Sequence, residues 1–546
     1  MVEVAGRERP RGRPVPGSAS SGGDLLARQL RTEGVDTIFG LPGDQIMAAL
    51  DALVDVPEIR YIVTRHEQAT TYMADGYARA GGKPGVAMVV PGVGVYNAAS
   101  GLATAYACSS SVMLLAGQVN RHGIGRDFGL LHDVHDQLDL VRPVTKWSAR
   151  VIDADAIPGA VREGFRQMAT GRPRPVEIEI PPEAFSEPAS ADLLVPTAET
   201  PLLPDPVVVE RAAALLRGAR SPLVVAGGGV VLGDAAGELR EVAELLQAPV
   251  VTTREGKGAI DDRHALSVGT MWVNRRLRTV LDSADVLLAV GTRLQGFGLA
   301  EHQQVVHVDV DADQIGRNQP AAIAVPGDAA VTLTALAGGL SGGPARASRT
   351  AEASHMRATT QAQLRAVGPQ GAMVAALRAG IPENGILVAD TTSVAYMCHM
   401  AYPVYAPRTY LSTSYMGTLG FAYPAALGAK VARPDVPVVT VVGDGGFLFA
   451  SNELATAVQH GINTVTVVFD DSAYGNSNRD QRERYRGREL GTVLRNPDWI
   501  RLAEAFGAQG TRVDDIDRLP EVLREACGRN GSTVIAVPMD RLPSPF

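Results

Sequence analysis

Three carboxylates stand at the ends of two strand-like runs in the last third of the chain. Asp444 closes the apolar run "VVTVVGD", and Asp470 and Asp471 close the run "NTVTVVFDD". Asp471 follows Asp444 by 27 residues, the length of one strand–helix–strand unit. Neighbouring parallel strands end at the same edge of a sheet, where open α/β sheets bind ligands. We therefore expect these carboxylates to meet at one site.

Gly445 and Gly446 follow Asp444 and open the helix-like segment "FLFASNELATAVQHG". Glycines let backbone N–H groups approach an anion, and a helix N-terminus adds partial positive charge, so this turn suits a phosphate. A carboxylate beside a bound phosphate needs a cation between them, and oxygen ligands favour Mg²⁺. Taken singly, each Asp could instead cap a helix or begin a turn. Their joint spacing favours a metal–diphosphate site.

The elements that must position these residues form three successive α/β units. Strand-like runs alternate with helix-like segments in each unit, which is typical of mainly parallel sheets covered by helices. We therefore predict three tandem Rossmann-like, doubly wound parallel-sheet domains. The predicted segments are a disordered tail at 1–22, a first domain at 23–187, a linker at 188–206, a central domain at 207–338, a linker at 339–369 and a third domain at 370–546.

Charge and cysteine content narrow the possible functions. The net charge is -8 and no basic run is long enough to follow a nucleic-acid backbone, so we expect a small-molecule ligand and no nucleic-acid partner. Cys108, Cys398 and Cys527 lie far apart and outside any metal-binding or disulfide pattern, which indicates a reducing cytoplasm. We find no apolar run of the signal-peptide or membrane-spanning type and expect no membrane association.

The chain from about residue 23 to 540 resembles the thiamine diphosphate enzymes of the acetolactate synthase, pyruvate decarboxylase and benzaldehyde lyase type. In that family a G-D-G motif is followed, after the next strand, by a pair of Asn; here the motif is "GDG" and the pair is "DD". The resemblance implies thiamine diphosphate and Mg²⁺ as cofactors. It implies that the metal is held by Asp444, by Asp471 in place of Asn, and by the backbone carbonyl of Ala473. It implies no role for Asp470.

In the first unit, "TRHEQATTYMADGYAR" is similar to the family segment whose glutamate activates the cofactor, which implies this role for Glu67. A carboxyl group hydrogen-bonded to the pyrimidine nitrogen N1′ promotes the imino tautomer that removes the proton from C2. We therefore expect Glu67 to lie in an apolar pocket. The alternative is a surface Glu on an amphipathic helix.

Two segments of the third unit resemble those that hold the cofactor. In "YMGTLGFAYPAALGA", Gly417 would present its carbonyl to the 4′-amino group and Leu419 would be the apolar wedge that bends the cofactor, although an ordinary core leucine is the alternative. The segment "DTTSV" after the strand "GILVAD" could donate to the diphosphate or simply cap a helix. The other cofactor residues that the resemblance implies are Thr391, Thr392, Ser393, Gly443, Gly445, Gly446, Tyr474 and Gly475.

The resemblance also implies catalytic residues on the substrate side of the first unit. "FGLPGDQ" is similar to the G-x-P-G turn of the family, and its Asp44 matches the acidic residue that handles protons in the pyruvate decarboxylases. "LLHDVHDQ" lies where relatives place an active-site Gln or His, which favours His132 with Asp133 beside it; a structural or solvated His is the alternative. Acetolactate synthases typically show "FQE" here and Gly in place of Asp44, so the chain departs from them twice.

The central unit gives only a weak nucleotide signal. Gly227 and Gly229 of "VVAGGGVVLG" fit a dinucleotide fingerprint, but the third glycine is displaced to Gly233. The acidic pair of the flavin-binding acetolactate synthases is missing from "GTRLQGFG" at 291–298. We therefore expect FAD to be unlikely as a tightly bound cofactor.

Together these features imply a 2-oxo acid decarboxylase or carboligase that is similar to acetolactate synthase in sequence. CO₂ would leave an acid such as pyruvate, and the product would be an aldehyde or would be joined to a second carbonyl compound. Because the family joins the first and third units across a subunit interface, we predict a homodimer or a dimer of dimers. The alternatives are a flavin-dependent oxidase, an acyl-CoA lyase and a non-catalytic binding protein that has lost the metal site.

Overall fold

The computed structural model describes residues 20–198, 200–271, 277–343 and 345–544. Three six-stranded sheets follow one another along the chain, and the strand pairs inside each of them are parallel. The prediction of three tandem parallel α/β domains is confirmed. None of the helices in these ranges is long and apolar enough to span a membrane.

The sheet of the first domain is buried on both faces. Its strands, in spatial order, are Arg60–Val63, Thr37–Gly40, Gly85–Val89, Val112–Gly117, Val176–Ile180 and Trp147–Arg150. Its helices are Gly22–Thr32, Met47–Val54, Glu67–Gly81, Val93–Cys108, Gln137–Val141, Ile157–Ala169 and Pro182–Ser186. Successive strand residues point to opposite faces, and accordingly Ile38 and Phe39 lie in two different apolar clusters.

The third domain repeats the strand order of the first. Its strands, in spatial order, are Tyr410–Ser412, Ile386–Ala389, Val438–Gly443, Val465–Asp470, Thr533–Pro538 and Gln509–Arg512. Its helices are Gly368–Gly380, Ser393–Ala401, Ala422–Ala432, Asp444–Leu448, Leu454–His460, Gly475–Arg484, Trp499–Ala505 and Leu519–Gly528. Numbered along the chain, the order in both sheets is 2-1-3-4-6-5. The direction of winding reverses between the first and third strands, which is where such sheets form a ligand crevice.

The central domain has the strand order 3-2-1-4-5-6. Its strands are Ser267–Thr270, Val250–Thr252, Pro222–Ala226, Val286–Val290, Gln304–Asp309 and Ile323–Pro326, and its helices are Pro206–Gly218, Gly228–Leu232, Ala236–Leu246, Arg278–Asp282 and Ala329–Leu340. The glycines that fit a dinucleotide fingerprint pack against backbone: a Cβ on Gly229 would lie 2.6 Å from Gly291 Cα, and one on Gly227 would overlap the Gly291 carbonyl. Close packing of two turns therefore explains both glycines.

Residues 20–22, predicted to end a disordered tail, are ordered in the structure. Ser20–Ser21 forms a short strand antiparallel to Pro188–Ala189, and a helix follows directly. The Ser21 hydroxyl accepts a hydrogen bond from the Asp24 N–H at 3.1 Å, and the Asp24 carboxylate accepts one from the Ser21 N–H at 2.7 Å. This capping box starts the helix, so the tail prediction was wrong for these three residues. The rest of the predicted tail lies outside the described residues.

The predicted linker at 339–369 contains the helix Thr350–Arg365, so that prediction was wrong in part. Ala353 packs into the core of the central domain, and Leu364 packs into the core of the third. Eleven residues make about three helical turns, so these two side chains share one face. This helix was not predicted from the sequence because its apolar face has few residues and most of its other residues are small or polar. The other domain boundaries stay predictions.

Two helices join the first and third domains through direct backbone contact. The helix Glu67–Gly81 crosses the helix Ala422–Ala432, and Gly76 and Gly428 lie at the crossing. A Cβ atom on either glycine would overlap a carbonyl oxygen of the opposite helix. The two helices can approach this closely only because both positions are glycine.

All three domains meet at Arg79, on the helix Glu67–Gly81. Its Nη1 donates to the Ser412 carbonyl at 2.8 Å and to Asp75 Oδ2 at 3.3 Å, and its Nη2 donates to Glu255 Oε2 at 3.1 Å. Glu255 also accepts a hydrogen bond from the Ser412 hydroxyl at 2.7 Å. Arg79 and Asp75 are buried, so their charges are only weakly screened by solvent. This network ties the central and third domains to one helix of the first.

A second buried polar network lies inside the first sheet. Glu177 and Glu179 project from one face of the strand Val176–Ile180, and both are fully buried. Glu179 accepts hydrogen bonds from Arg150 and from Gln137, whereas neither carboxyl oxygen of Glu177 has a hydrogen bond of ordinary geometry in the described part of the chain, although the nearby Gln137 amide favours its charged form. Burial, followed by the nearby Glu179 charge, raises the pKa of Glu177 well above its usual value. At pH values that favour ionisation of Glu177, its burial therefore lowers the free energy of unfolding.

We expect Gly428→Ala to lower the free energy of unfolding by about 3 kcal/mol, because the added methyl group forces the two crossing helices apart. The matched control is Gly338→Ala, at an exposed position of the helix Ala329–Leu340 with open space around the Cβ. This control should raise stability by about 0.5–1 kcal/mol, as Ala does for Gly in a helix. Urea denaturation measures both, and equal stability of Gly428→Ala and the parent chain would contradict the proposed backbone contact.

We expect Glu177→Met to raise the free energy of unfolding at pH 8 by about 1–3 kcal/mol, since it removes a buried carboxyl group that has no hydrogen bond of ordinary geometry. The folded pKa of Glu177 lies above the unfolded one, so its cost is absent below the unfolded pKa and grows as the pH rises toward the folded pKa. The stability gain should therefore shrink between pH 8 and pH 5. Glu179→Met is the control and should destabilise, because it leaves Arg150 and Gln137 without their shared acceptor. A pH-independent gain would show that ionisation of Glu177 is not the cause.

Candidate functional site

Three neighbouring strands of the third sheet are each followed or closed by an aspartate: Asp390, Asp444 and Asp470. The predicted pair Asp444 and Asp471 comes together at this edge. Burial raises the pKa of Asp444, and burial together with the nearby Asp444 charge raises the pKa of Asp471 to about 6. Two carboxyl groups that disfavour each other's ionisation in this way are stabilised by a cation.

Asp470 fixes the turn that carries the second carboxylate of the pair. Its Oδ1 accepts hydrogen bonds from Asn496 Nδ2 at 2.8 Å and from the Ser472 N–H at 2.9 Å, and its Oδ2 accepts one from Trp499 Nε1 at 2.7 Å. Asn496 Nδ2 also donates to Asp444 Oδ2 at 2.6 Å. Asp470 thus orients the turn of Asp471 and, through Asn496, links it to Asp444. The resemblance implied no such role.

Ala473, the third predicted metal ligand, pairs with Val493 in an isolated antiparallel bridge. The two hydrogen bonds of this bridge, each 2.8 Å long, come from the flanking residues, so they use neither the N–H nor the carbonyl of Ala473. Burial raises the pKa of Asp444 and of Asp471, and the Ala473 N–H, which donates to both carboxylates, offsets part of that rise. The bridge therefore holds the Ala473 backbone beside the acidic pair.

Mg²⁺ prefers oxygen ligands of the kind that these residues provide, two carboxylates and a backbone carbonyl. Across the described ranges, no group of three or more His, Cys, Asp or Glu side chains is arranged to hold a metal ion. A cation at Asp444 and Asp471 would take its remaining ligands from backbone, phosphate or water, which is the usual pattern for Mg²⁺ beside a phosphorylated ligand. The residues present therefore fit such a site.

The glycine turn after the strand Val438–Gly443 is enclosed by other predicted site residues. A Cβ atom on Gly443 would lie 3.1 Å from the Thr392 hydroxyl, and one on Gly445 would lie 2.5 Å from the Tyr474 ring. Thr391 and Ser393 flank Thr392, Gly446 follows Gly445, and Gly475 packs against the Asp471 carboxylate. The structure thus brings the predicted diphosphate residues together around one turn.

The segment "FLFASNELATAVQHG", predicted as one helix after this turn, is broken in the structure. It contains part of the helix Asp444–Leu448, a 3-10 turn at Ser451–Glu453 and the helix Leu454–His460. Ala450 leaves the helical region with φ at -139°. Ser and Asn side chains compete with the helix for backbone hydrogen bonds, and the pair that follows Ala450 begins the new turn.

Asp390 was missed by the sequence analysis. It is buried, and its carboxylate accepts hydrogen bonds from the Thr391 N–H at 2.7 Å and from the Ala422 N–H at 3.0 Å. Burial raises its pKa to about 6. Asp390 therefore connects the threonine loop to the segment that carries Gly417 and Leu419. One feature of the sequence could have indicated Asp390: its strand, like the two strands that end at Asp444 and Asp470, is followed or closed by an aspartate.

Gly417 and Leu419, predicted to hold the pyrimidine, contact the first domain through Thr418. Gly417 is exposed with φ at 64°, a conformation that favours glycine, and Leu419 is half-buried. The hydroxyl of Thr418 lies 2.9 Å from that of Thr104, on the helix Val93–Cys108. The same helix carries a partner of Glu67, so one helix links the two predicted halves of the site.

Glu67 is the first residue of the helix Glu67–Gly81 and is only 8% exposed. Its carboxylate accepts a hydrogen bond from Asn97 Nδ2 at 3.0 Å. His66 caps the helix, with its Nδ1 accepting from the Gln68 N–H at 3.1 Å. The apolar pocket expected for Glu67 stays a prediction, and the structure adds to it one polar group, the Asn97 amide. No motif in the sequence pointed to Asn97.

Asp44 and His132 lie on loops that meet at the carboxyl edge of the first sheet. Asp44 is exposed at the start of a 3-10 turn, and Gln45 beside it donates to the Leu131 carbonyl at 3.1 Å. His132 is half-buried with φ at 68°, and its carbonyl packs against Gly92. The two predicted catalytic residues are thus brought to one edge by contacts of their neighbours.

A cleft of 2920 Å³ is lined by residues of all three domains. Thr391 and Gly417 line it, whereas the other predicted residues Asp44, Glu67, His132, Asp444 and Asp471 do not. Its walls carry more basic than acidic side chains, among them Arg174, Arg254 and Arg293. The cleft therefore suits an anionic small molecule.

Three family models match the chain. They are described as the thiamine pyrophosphate enzyme N-terminal TPP binding domain at residues 20–141, the central domain at 209–336 and the C-terminal TPP binding domain at 390–537. The C-terminal match contains all of the predicted metal ligands, and the N-terminal match contains Glu67.

Similar curated proteins span nearly the full length of the chain. A probable 2-ketoarginine decarboxylase AruI of Pseudomonas aeruginosa is 34% identical over 95% of this chain and 94% of its own length. A probable acetolactate synthase large subunit of Methanocaldococcus jannaschii is 33% identical, with coverages of 95% and 92%. The acetolactate synthase large subunit of Haemophilus influenzae is 31% identical, with coverages of 93% and 92%. The similarity thus includes both decarboxylases and acetolactate synthases.

Proposed function

Because the chain belongs to the thiamine pyrophosphate enzyme family, we propose that it is a thiamine diphosphate- and Mg²⁺-dependent decarboxylase or carboligase acting on a 2-oxo acid such as pyruvate. The observation that carries this proposal is the pairing of Asp444 with Asp471 beside a glycine turn, at the point where the third sheet reverses its winding. Such reversal points are ligand sites in open α/β sheets.

The chain's own residues divide the task of holding the cofactors. Asp444, Asp471 and the Ala473 carbonyl would hold Mg²⁺, and Asp470 keeps their turn in place. Backbone and hydroxyl donors on the loops around the glycine turn would hold the diphosphate; these residues are Thr391, Thr392, Ser393, Gly443, Gly445, Gly446, Tyr474 and Gly475. Gly417 and Leu419 would orient the pyrimidine.

Thiamine diphosphate, when bound, supplies a nucleophilic carbon and an electron sink for the loss of CO₂. Glu67 would hold a proton at the pyrimidine nitrogen, and Asn97 orients its carboxylate by a 3.0 Å hydrogen bond. Asp44 and His132, on adjoining loops, would move protons to and from the substrate. The burial of Glu67 supports this division of roles, since a carboxyl group shielded from water interacts more strongly with a bound ring.

We further propose a homodimer or a dimer of dimers in which the partner completes the site. Large apolar side chains are exposed on both halves: Tyr96, 54% exposed, lies next to Asn97, and Phe449, 51% exposed, follows the glycine turn. Val93 and Leu448 extend these two patches. Exposed apolar patches beside a site are typical of subunit interfaces. An interface of this kind would bring Glu67 of one subunit to the metal site of the other.

The lining of the cleft supports an anionic substrate. The relative from Pseudomonas aeruginosa is named for 2-ketoarginine, whose side chain ends in a guanidinium group. A cleft wall with Arg174, Arg254 and Arg293 would repel such a cation. We therefore propose 2-oxo acids with neutral or acidic side chains as substrates, and no requirement for flavin.

Calorimetric titration tests the cofactor site. Thiamine diphosphate should bind in the presence of Mg²⁺ and lose its binding when EDTA removes the metal, because the ligand's phosphates would otherwise face two bare carboxylates. Asp444→Ala should remove binding even with Mg²⁺ present. An absence of binding by the parent chain at millimolar Mg²⁺ would overturn the proposal.

Assays with a panel of 2-oxo acids test the reaction. We expect CO₂ release from pyruvate and longer neutral acids, much slower release from 2-ketoarginine, and new carbon–carbon bonds when an aldehyde acceptor is added. Glu67→Gln should bind thiamine diphosphate normally but lose activity by about 10²–10⁴-fold, the usual contribution of a proton-transfer group. Glu504→Gln, at an exposed position, is the matched control and should behave like the parent chain. A fully active Glu67→Gln would remove Glu67 from its role.

A further inference from the structure

The turn that presents Glu67 is held by the third domain. The N–H of Arg65 donates to both carboxyl oxygens of Glu453, at 3.1 Å each. The N–H of His66, the residue just before Glu67, also donates to this carboxylate. Two successive backbone groups of the first domain are therefore fixed by one side chain of the third.

Glu453 is 0% exposed and is surrounded by donors. Besides the two N–H groups, its carboxylate accepts from the Thr456 hydroxyl at 2.5 Å and from Asn452 Nδ2 at 3.2 Å. An ionised carboxylate offers only acceptors, whereas a Gln side chain would turn an NH₂ group toward one of these donors. Burial raises the pKa of Glu453, and these donors offset part of that rise and favour a carboxyl group over an amide at this position.

A second contact holds the strand that leads into this turn. His460 Nε2 accepts a hydrogen bond from the Val63 N–H at 3.1 Å, and the His460 carbonyl accepts one from Arg60 Nη2 at 2.7 Å. Glu453 and His460 belong to one short segment of the third domain, which also follows Asp444 directly along the chain. This segment thus fixes the first domain from Arg60 to His66.

We propose that Glu453 is a positioning residue that sets the direction of the Glu67 carboxylate toward the cofactor. His66 caps the helix that Glu67 begins, so a change in the Arg65–His66 turn changes the start of that helix. A displacement of about 1 Å at a reacting group can cost roughly 100-fold in rate. The proposal rests on the proposed function, since it assumes that Glu67 acts on thiamine diphosphate.

The test is Glu453→Gln, compared with the parent chain in two measurements. Hydrogen–deuterium exchange of the full chain without ligands should show the Arg65 and His66 amides exchanging about tenfold faster, because Gln replaces one of the two acceptor oxygens with an NH₂ group. With thiamine diphosphate and Mg²⁺ bound, proton exchange at C2 of the cofactor should slow by roughly 10–100-fold. The dissociation constant for thiamine diphosphate should not change, because Glu453 does not touch the diphosphate residues.

Gln459→Ala is the matched control. Gln459 Oε1 accepts a hydrogen bond from the Arg65 side chain at 2.6 Å on the exposed side of the same junction, so this variant removes a neighbouring contact and leaves the backbone turn intact. Both exchange rates should equal those of the parent chain. If Glu453→Gln does not fold, Thr456→Val, which removes one hydrogen bond from Glu453, should give the same two changes in smaller size.

Each outcome separates the two proposals. Unchanged amide exchange at Arg65 and His66 would show that Glu453 does not hold the turn, and unchanged C2 exchange despite faster amide exchange would show that the turn does not position Glu67. Either result overturns the inference and leaves the proposed function standing. If the parent chain neither binds thiamine diphosphate nor exchanges its C2 proton, the proposed function itself fails, whereas the ligand-free amide exchange still decides whether Glu453 holds the turn.

Discussion

The guanidinium group of Arg79, on a helix of the first domain, is a buried point at which the three domains share hydrogen bonds. It fixes the Ser412 carbonyl, so the chain leaves the edge strand of the third sheet in a defined direction toward Gly417. It also fixes Glu255, whose other oxygen accepts from Arg254 in the cleft wall. Arg79, a buried cation on the helix that Glu67 begins, therefore helps to position both the segment that carries Gly417 and the wall of the cleft.

The first and third domains have the same strand order, but different residues lie where the direction of winding reverses. In the third domain these residues are Asp390 and the glycine turn, and in the first domain they are the loops that contain Asp44 and Gly92. In the proposed function, one domain would contribute anion and metal ligands, and the other would contribute groups suited to moving protons. Glu453 links the two within one chain, because it belongs to the segment after Asp444 and yet holds the turn before Glu67.

Much of this arrangement follows from local sequence rules, and the rest depends on distant partners. The sequence predicts that Asp444 and Asp471 lie together, because the ends of neighbouring strands share an edge. It predicts a role for Glu67 because the segment around Glu67 resembles a known one. The roles of Asn97, Asp390 and Glu453 could not be predicted, since they depend on which hydrogen-bonding groups of distant segments fold against these side chains. The helix Thr350–Arg365 was hidden for another reason: its apolar side chains serve two separate cores, so neither half looks amphipathic on its own.

The crossing at Gly76 and Gly428 has a consequence for how this molecule can change over time. Most interfaces between domains are made of side chains, which can be exchanged one at a time so that the angle between the domains drifts gradually. At Gly76 and Gly428 the two helices touch through main chain on both sides, and at these two positions no substitution offers a slightly different fit. The backbone contact at these two glycines therefore keeps the crossing of the two helices constant when other residues change. Adaptation to new substrates is left to the loops around the crossing.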